Sequence, residues 1–280
     1  MPMAVVFPGL TLERASFGFG FGGVDPHACG PAGIVFAPGL EWLVANCGTG
    51  ELFRLRGLDV PAVEPIRADC GVLDLAVGPA GRLFGSRSSE IVEVDPRTGV
   101  ILRTVASGFS ELAGLSYDVR TGRILVADFK ASALCEVDPD TGHQSVRASG
   151  ALLGSPDGIV LGDDGRLFVA GYASKHVLAV DEGGVVTDLG MLPGRPDGIA
   201  LGGPDGPFAG SVIVNQRDGA VVALGPEGEI TPLGIGGTPG DLMAVDRTGH
   251  LYVTQLEEIL RMGPGWFAPQ PWRELPVSLG

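Results

Sequence analysis

A repeat of about forty residues is the feature that most constrains what this chain can fold into. Pro156-Asp157-Gly158-Ile159-Val160-Leu161 returns as Pro196-Asp197-Gly198-Ile199-Ala200-Leu201. Alignment on Gly158 gives six units, at Gly33, Asp74, Gly114, Gly158, Gly198 and Asp241, spaced 41, 40, 44, 40 and 43 residues. Each unit opens with a short apolar stretch, turns at Gly and Asp, and continues into a second stretch that is apolar in the middle and mostly polar at its end, such as Arg123-Ile124-Leu125-Val126-Ala127-Asp128. That is the sequence form of an antiparallel hairpin. Third stretches follow, as in Glu90 to Pro96, Ala133 to Pro139 and Lys175 to Asp181, with tight reversals at Pro96-Arg97-Thr98-Gly99 and Pro139-Asp140-Thr141-Gly142. Weaker fourth stretches complete the units at Val63 to Ala68, Val100 to Ala106, Gln144 to Ala148, Val185 to Leu189 and Glu229 to Leu233.

Four short strands in a unit of this length, with no 3.6-residue periodicity, are what a propeller blade requires. The expected fold is therefore all-β: a six-bladed β-propeller with four-stranded antiparallel blades. It forms one domain over 1–280, with blades starting near 29, 70, 110, 155, 195 and 238. Residues 1–28 match no full blade and are read as a closing segment. Either Ala4 to Phe7 or Leu10 to Arg14 would add a strand to the last blade, and Trp272 to Val277 is the other candidate for that blade's fourth strand.

Composition narrows the partners. A formal charge of -14 repels nucleic-acid phosphates and anionic lipid, so neither is expected as a partner. Met1 to Pro8 has no basic segment leading an apolar run, and no stretch approaches the roughly 18 apolar residues of a membrane span, so a soluble cytoplasmic protein is expected. Four cysteines in 280 residues do not make a disulfide framework and are read as thiols.

In a four-stranded antiparallel blade the start of the first strand and the end of the second share a face. One mouth thus receives Asp157 and Asp197 together with Asn46, Arg87, Asp128 and Gln255, and with the loops carrying Lys130 and Tyr172. Two carboxylates at equivalent places on adjacent blades cannot both ionise cheaply unless positive charge lies between them. A hard divalent cation, calcium or magnesium, would supply it. The alternative is that Pro-Asp-Gly only starts a strand, its aspartate accepting local backbone N–H groups. Asp74 and Asp241 stand one position later and face either the channel or a neighbouring turn. Cys29 and Cys70 occupy the same place ahead of blades one and two. His27 and His176 are general-base candidates by residue type, or polar loop residues. No Gly-x-Ser-x-Gly elbow is present.

Gly165 to Ala170, Val126-Ala127-Asp128 with Val137-Asp138-Pro139, and the two Pro-Asp-Gly-Ile segments resemble the senescence marker protein and gluconolactonase family of six-bladed propellers, and more loosely NHL repeats. The resemblance covers roughly residues 27 to 263. It implies one divalent cation on the axis, held in the family by a glutamate, an asparagine and an aspartate, and a sugar-lactone substrate whose carbonyl the metal polarises. Asp197 matches the family aspartate and Asp157 stands where the asparagine would be. Cys29 holds the place of the glutamate, a softer ligand than calcium takes, which leaves open a changed metal, a site completed by Asp74, Asp128 or Asp241, or no metal.

The expectation is a metal-dependent hydrolase of the sugar-lactonase type acting on a small polar molecule. Asp157 and Asp197 hold a calcium-like ion, and Asp197 and His27 are the catalytic candidates. Asn46, Arg87, Asp128, Lys130, Tyr172 and Cys29 contact the substrate. A lyase or cyclase using the same pocket, with or without metal and with Cys29, His27 or Tyr172 in acid–base roles, is the first alternative. A non-enzymatic propeller that binds a ligand or a protein is the second.

Overall fold

A computed structural model describes residues 3–17, 30–37, 41–56, 62–256 and 258–268. Six antiparallel sheets stand around a common axis, five of four strands and one extended by two short edge strands. The inner strands are Pro31–Ala37, Leu75–Val77, Leu112–Asp118, Pro156–Leu161, Pro196–Gly202 and Gly240–Val245. Each lies beside the inner strand of the next blade, and the sixth lies beside the first. The fold is thus the six-bladed β-propeller expected from the period.

The second and third strands are apolar on both faces because each face meets a different blade. Ile124 and Val126 pack toward blade two, while their neighbours Leu125 and Ala127 pack toward blade four. The buried apolar side chains fall into six clusters, one between each pair of adjacent blades, including one between blades six and one built on Trp42, Val44, Tyr252 and Ile259. The driving force of burial is spread around the ring.

The ring is closed by the beginning of the chain. Thr11–Phe17 pairs antiparallel with Glu258–Gly263 and supplies the outer strand of blade six. Arg261 and Glu13 form an ion pair across this seam at 2.9 Å. Of the two N-terminal candidates, the stretch containing Leu10 to Arg14 therefore joins the last blade. The earlier one, Ala4–Val5, pairs instead with the outer strand of blade five, Ile230–Ile235. Trp272 to Val277 lies outside the described residues.

Close approach at the axis dictates residue choice. A Cβ on Gly114, Gly158 or Gly198 would run into the carbonyl oxygen of Asp157, Asp197 or Asp241 of the following blade. Glycine is needed there for space. In blade two the aligned residue is Asp74, 8 % exposed, and its carboxylate accepts the N–H of Leu75 at 2.8 Å and that of Leu115 in blade three at 2.7 Å. Blades five, six and one are tied by buried side chains: Asn215 donates to Asp241 O at 2.7 Å, and Thr254 donates to Ala32 O at 3.0 Å.

Among the described cysteines, Cys47 departs from expectation. It is disulfide-bonded, not a thiol. Its N–H donates to Gly30 O at 3.1 Å, which holds it against the segment that enters the first inner strand. Cys70 and Cys135 are free and buried, and burial raises both thiol pKa values, that of Cys135 to about 11, which keeps them protonated and unreactive. No helix among the described residues is long and apolar enough to cross a membrane.

Gly158→Ala should destabilise the protein by about 1–3 kcal/mol, since backbone of the next blade must move to admit the methyl group; urea unfolding measures this. A second expectation concerns pH. Burial, reinforced by the charge of Asp241, raises the Asp74 pKa to about 7, against the pull of its two N–H donors. Between about pH 4 and 7 the folded state then holds a proton that the unfolded chain has lost, so stability falls as pH rises through this window. The melting temperature of Asp74→Asn relative to wild type should therefore climb between pH 4 and 7. A constant difference would mean that Asp74 is ionised throughout.

Candidate active site

Asp157 and Asp197 owe their placement to a break in regular pairing. Pro156 and Pro196 have no N–H to give the ladder, and the register with the second strand slips between Pro156 and Ile159 and between Pro196 and Gly198. Residues within such a bulge leave the pleat, and their side chains are re-aimed. The same slip occurs at Pro31/Ile34, Leu112/Leu115 and Gly240/Met243, so the inner strands of five blades begin irregularly around one mouth. Ser155, directly before Pro156, has a positive φ of 55°.

The mouth holds a cavity of about 430 Å³ whose lining includes Asp157, Asp197, Asp241, Arg195, Arg217 and Tyr172. Asp197 is 4 % exposed and Asp241 9 %; Asp157 is half-buried. Burial, then the charges of Asp241 and Asp74, raise the Asp157 pKa well above the carboxylate range. Burial, then Asp157 and Asp241, do the same to Asp197. Asp241 is raised to about 6 by burial, with Arg217 and the Leu242 N–H opposing. The positive charge among them is Arg217, whose Nη1 lies 3.9 Å from Asp197 Oδ2 and donates to Gly240 O at 3.2 Å. A group of carboxyls around one guanidinium cannot all be ionised at neutral pH, and some retain their protons.

The structure brings Asp157, Asp197 and Tyr172 together at the cavity and engages Asn46, Arg87, Asp128 and Lys130 in other contacts. Asn46, fully buried, accepts the N–H groups of Gly48 and Thr49. Asp128 accepts those of Ser110, Glu111 and Ala131. Gln255 accepts from Thr238, and its counterpart Gln216 accepts from Gly194. These strand ends secure loop backbone that would otherwise lack partners. Arg87 pairs with Glu90 at 3.4 Å, Lys130 pairs with Glu111, and His176 pairs with Asp188 at 2.9 Å. None of Asn46, Arg87, Asp128 and Lys130 lines the cavity. Cys29 and His27 lie outside the described residues.

Arg195, Arg217 and Glu111 line the mouth without having been singled out, as does Phe129 from the Lys130 loop expected there. Their positions were readable all the same. Arg195 directly precedes Pro196, Arg217 follows the last residue of a second strand, Phe129 follows Asp128, and Glu111 opens blade three. The rings of Phe129 and Tyr172 stand 5.7 Å apart, and the Arg195 guanidinium lies 5.2 Å from the centre of the Tyr172 ring.

Among the described residues, no group of three or more His, Cys, Asp and Glu side chains is gathered as a metal ion's ligands are. Hard cations take six or more oxygens. Here the oxygens of Asn46 and Asp128 are spent on loop backbone, those of Asp74 on Leu75 and Leu115, and a guanidinium stands beside Asp197. These described side chains fit a guanidinium-centred carboxyl cluster better than they fit a divalent ion.

No protein-family model matches the sequence, and no curated protein matches it. Solved structures do. A gluconolactonase from Xanthomonas campestris superposes with a TM-score of 0.71 at 14 % identity, covering 96 % of this chain and 95 % of that one. A streptogramin B lyase gives 0.67 at 12 % identity, covering 91 % and 97 %. An aldose sugar dehydrogenase from Streptomyces coelicolor, bound to PQQ, gives 0.64 at 14 %, covering 92 % and 99 %. The chain thus shares its overall fold with a gluconolactonase, a streptogramin lyase and a sugar dehydrogenase.

Proposed function

We propose that the protein is an acid–base hydrolase that opens a small polar ester or lactone at the propeller mouth, with Asp157 and Asp197 as a proton-sharing pair. The observation that carries this reading is that both carboxyls face one cavity from equivalent places on adjacent strands, and each is pushed well above the carboxylate range by burial and by its neighbours. Their environments differ in one respect. Asp197 has the Arg217 guanidinium at 3.9 Å, whereas Asp157 has no hydrogen-bond or ion-pair partner among the described residues. In this reading the guanidinium beside Asp197 supports its carboxylate, so Asp197 serves as base and Asp157 keeps the proton.

The chemistry follows from that division. Asp197 takes a proton from a water as its oxygen attacks the carbonyl carbon, and the Asp157 carboxyl donates a hydrogen bond to the carbonyl oxygen as charge develops there. When the tetrahedral centre collapses, the C–O bond to the alcohol breaks and the proton held by Asp197 passes to the departing alkoxide. The products are a carboxylic acid and an alcohol, joined in one molecule when the substrate is a lactone. Metal independence belongs to this reading and is supported by the guanidinium at the centre of the cluster.

Asp157→Asn and Asp197→Asn should each lower kcat on a hydrolysed member of a panel of sugar lactones and aryl esters, by roughly 10²–10⁴-fold. Their melting temperatures at pH 7.5 should equal or exceed wild type, because an amide cannot ionise where burial disfavours charge. Chelator should change neither activity nor melting temperature. Full activity in Asp197→Asn would overturn the assignment. One divalent ion per chain, with activity lost to chelator, would recast both aspartates as ligands of the calcium-like ion implied by the Pro-Asp-Gly resemblance. A product of unchanged mass bearing a new double bond, with no ¹⁸O taken from labelled water, would make the enzyme a lyase.

A further inference from the structure

We propose that Arg195 is an anion subsite at the rim of the mouth, and that the molecule acted on carries a carboxylate or phosphate group away from its reacting bond. The inference rests on the mouth being the binding site, as proposed above, and specifies what the site selects. Its basis is a contrast among the basic residues at this mouth. Arg217 is committed to Asp197 and Gly240 O, and Lys130 is taken by Glu111. Arg195 also lines the cavity, yet its side chain has no carboxylate or carbonyl partner among the described residues, in a chain of 33 acidic and 19 basic residues.

Its setting is prepared for a ligand. Arg195 O accepts the Arg217 N–H at 2.9 Å and Pro196 follows directly, so the backbone that carries the side chain is fixed. The guanidinium lies against the Tyr172 ring, itself packed on Phe129. The ring contact positions the guanidinium while its N–H donors make no hydrogen bond or ion pair among the described residues, and such donors can bind a carboxylate or phosphate through two oxygens. The floor of the cavity is lined by carboxyls, and its cation, Arg217, is already taken by Asp197 and Gly240 O, so the floor offers an anion no free positive group. An anionic group is therefore favoured at the rim and disfavoured at the floor, and this polarity turns the rest of the ligand toward Asp157 and Asp197.

Three probes sharing one sugar ring test the subsite: glucose, glucuronate and glucose 6-phosphate, titrated calorimetrically into wild type, Arg195→Gln and Asp197→Asn. Wild type should bind at least one of the two anions ten times or more tightly than glucose, and the preference should shrink as salt is added. Which anion wins tells carboxylate from phosphate. Arg195→Gln, a change at an exposed side chain, should keep the wild-type melting temperature and lose the preference, while Asp197→Asn should retain it. Equal binding of all three probes, binding of none, or a preference that survives in Arg195→Gln would overturn the proposal. Glucosamine is titrated as a cationic control, and tighter binding of it than of either anion would do so too, because the carboxyl floor would then be the selector. The two proposals fail separately: the subsite stands if Arg195→Gln abolishes anion preference while Asp197→Asn still turns over substrate, and the hydrolase stands in the reverse case.

Discussion

Everything at the mouth depends on how closely the six inner strands approach one another. Packing of blade on blade draws the strands together until there is no room for a Cβ at the aligned glycines, and the residues just before them must sit side by side around a narrow opening. Acidic side chains placed there are desolvated by the strands and exposed to one another's charge. The raised pKa values of Asp157 and Asp197 are thus produced by the same apolar burial that holds the ring together. The cost in stability of keeping such groups is a common mark of sites retained for chemistry.

A second layer of polar residues makes that opening rigid. Asn46, Asp128, Gln216 and Gln255, at the ends of second strands in four blades, each accept hydrogen bonds from nearby loop backbone. Loops pinned in this way hold Phe129 and Arg195 in fixed relation to the carboxyls, and the Tyr172 N–H is held by Ser155 O. Positions held by buried hydrogen bonds on a stiff scaffold are suited to orienting a ligand, because little order has to be imposed when it binds.

Much of the architecture was legible in the sequence because it is periodic. The spacing of Gly33 through Asp241 yields the blade number, and the apolar second strands yield blade-on-blade packing. The leftover N-terminal segment points to closure, although nothing in its residues distinguishes Ala4 to Phe7 from Leu10 to Arg14 before the register is seen. Asp157 and Asp197 were legible because they repeat. Arg195 and Arg217 occur once each and carry no signal except adjacency to positions that do repeat. Asn46 and Asp128 show the opposite difficulty: placement at the mouth was correct in topology, but whether a polar side chain faces the channel or its own loop is decided by local backbone N–H groups. The bulges that re-aim the two aspartates have only the prolines as a trace.

The seam between Thr11–Phe17 and Glu258–Gly263 joins residues about as far apart in sequence as this chain permits, with Glu13 and Arg261 separated by 248 positions. During synthesis the first strand emerges long before its partner exists. Blades one to four can assemble on contacts between neighbours, but blade six stays incomplete until its third strand has left the ribosome. Until then Thr11–Phe17 is an edge strand in want of a neighbour, open to pairing with the equivalent strand of another nascent chain. Loop-closure entropy over such a span makes the final step slow relative to blade formation. The mouth, which needs all six inner strands, is therefore the last part of the molecule to acquire its form.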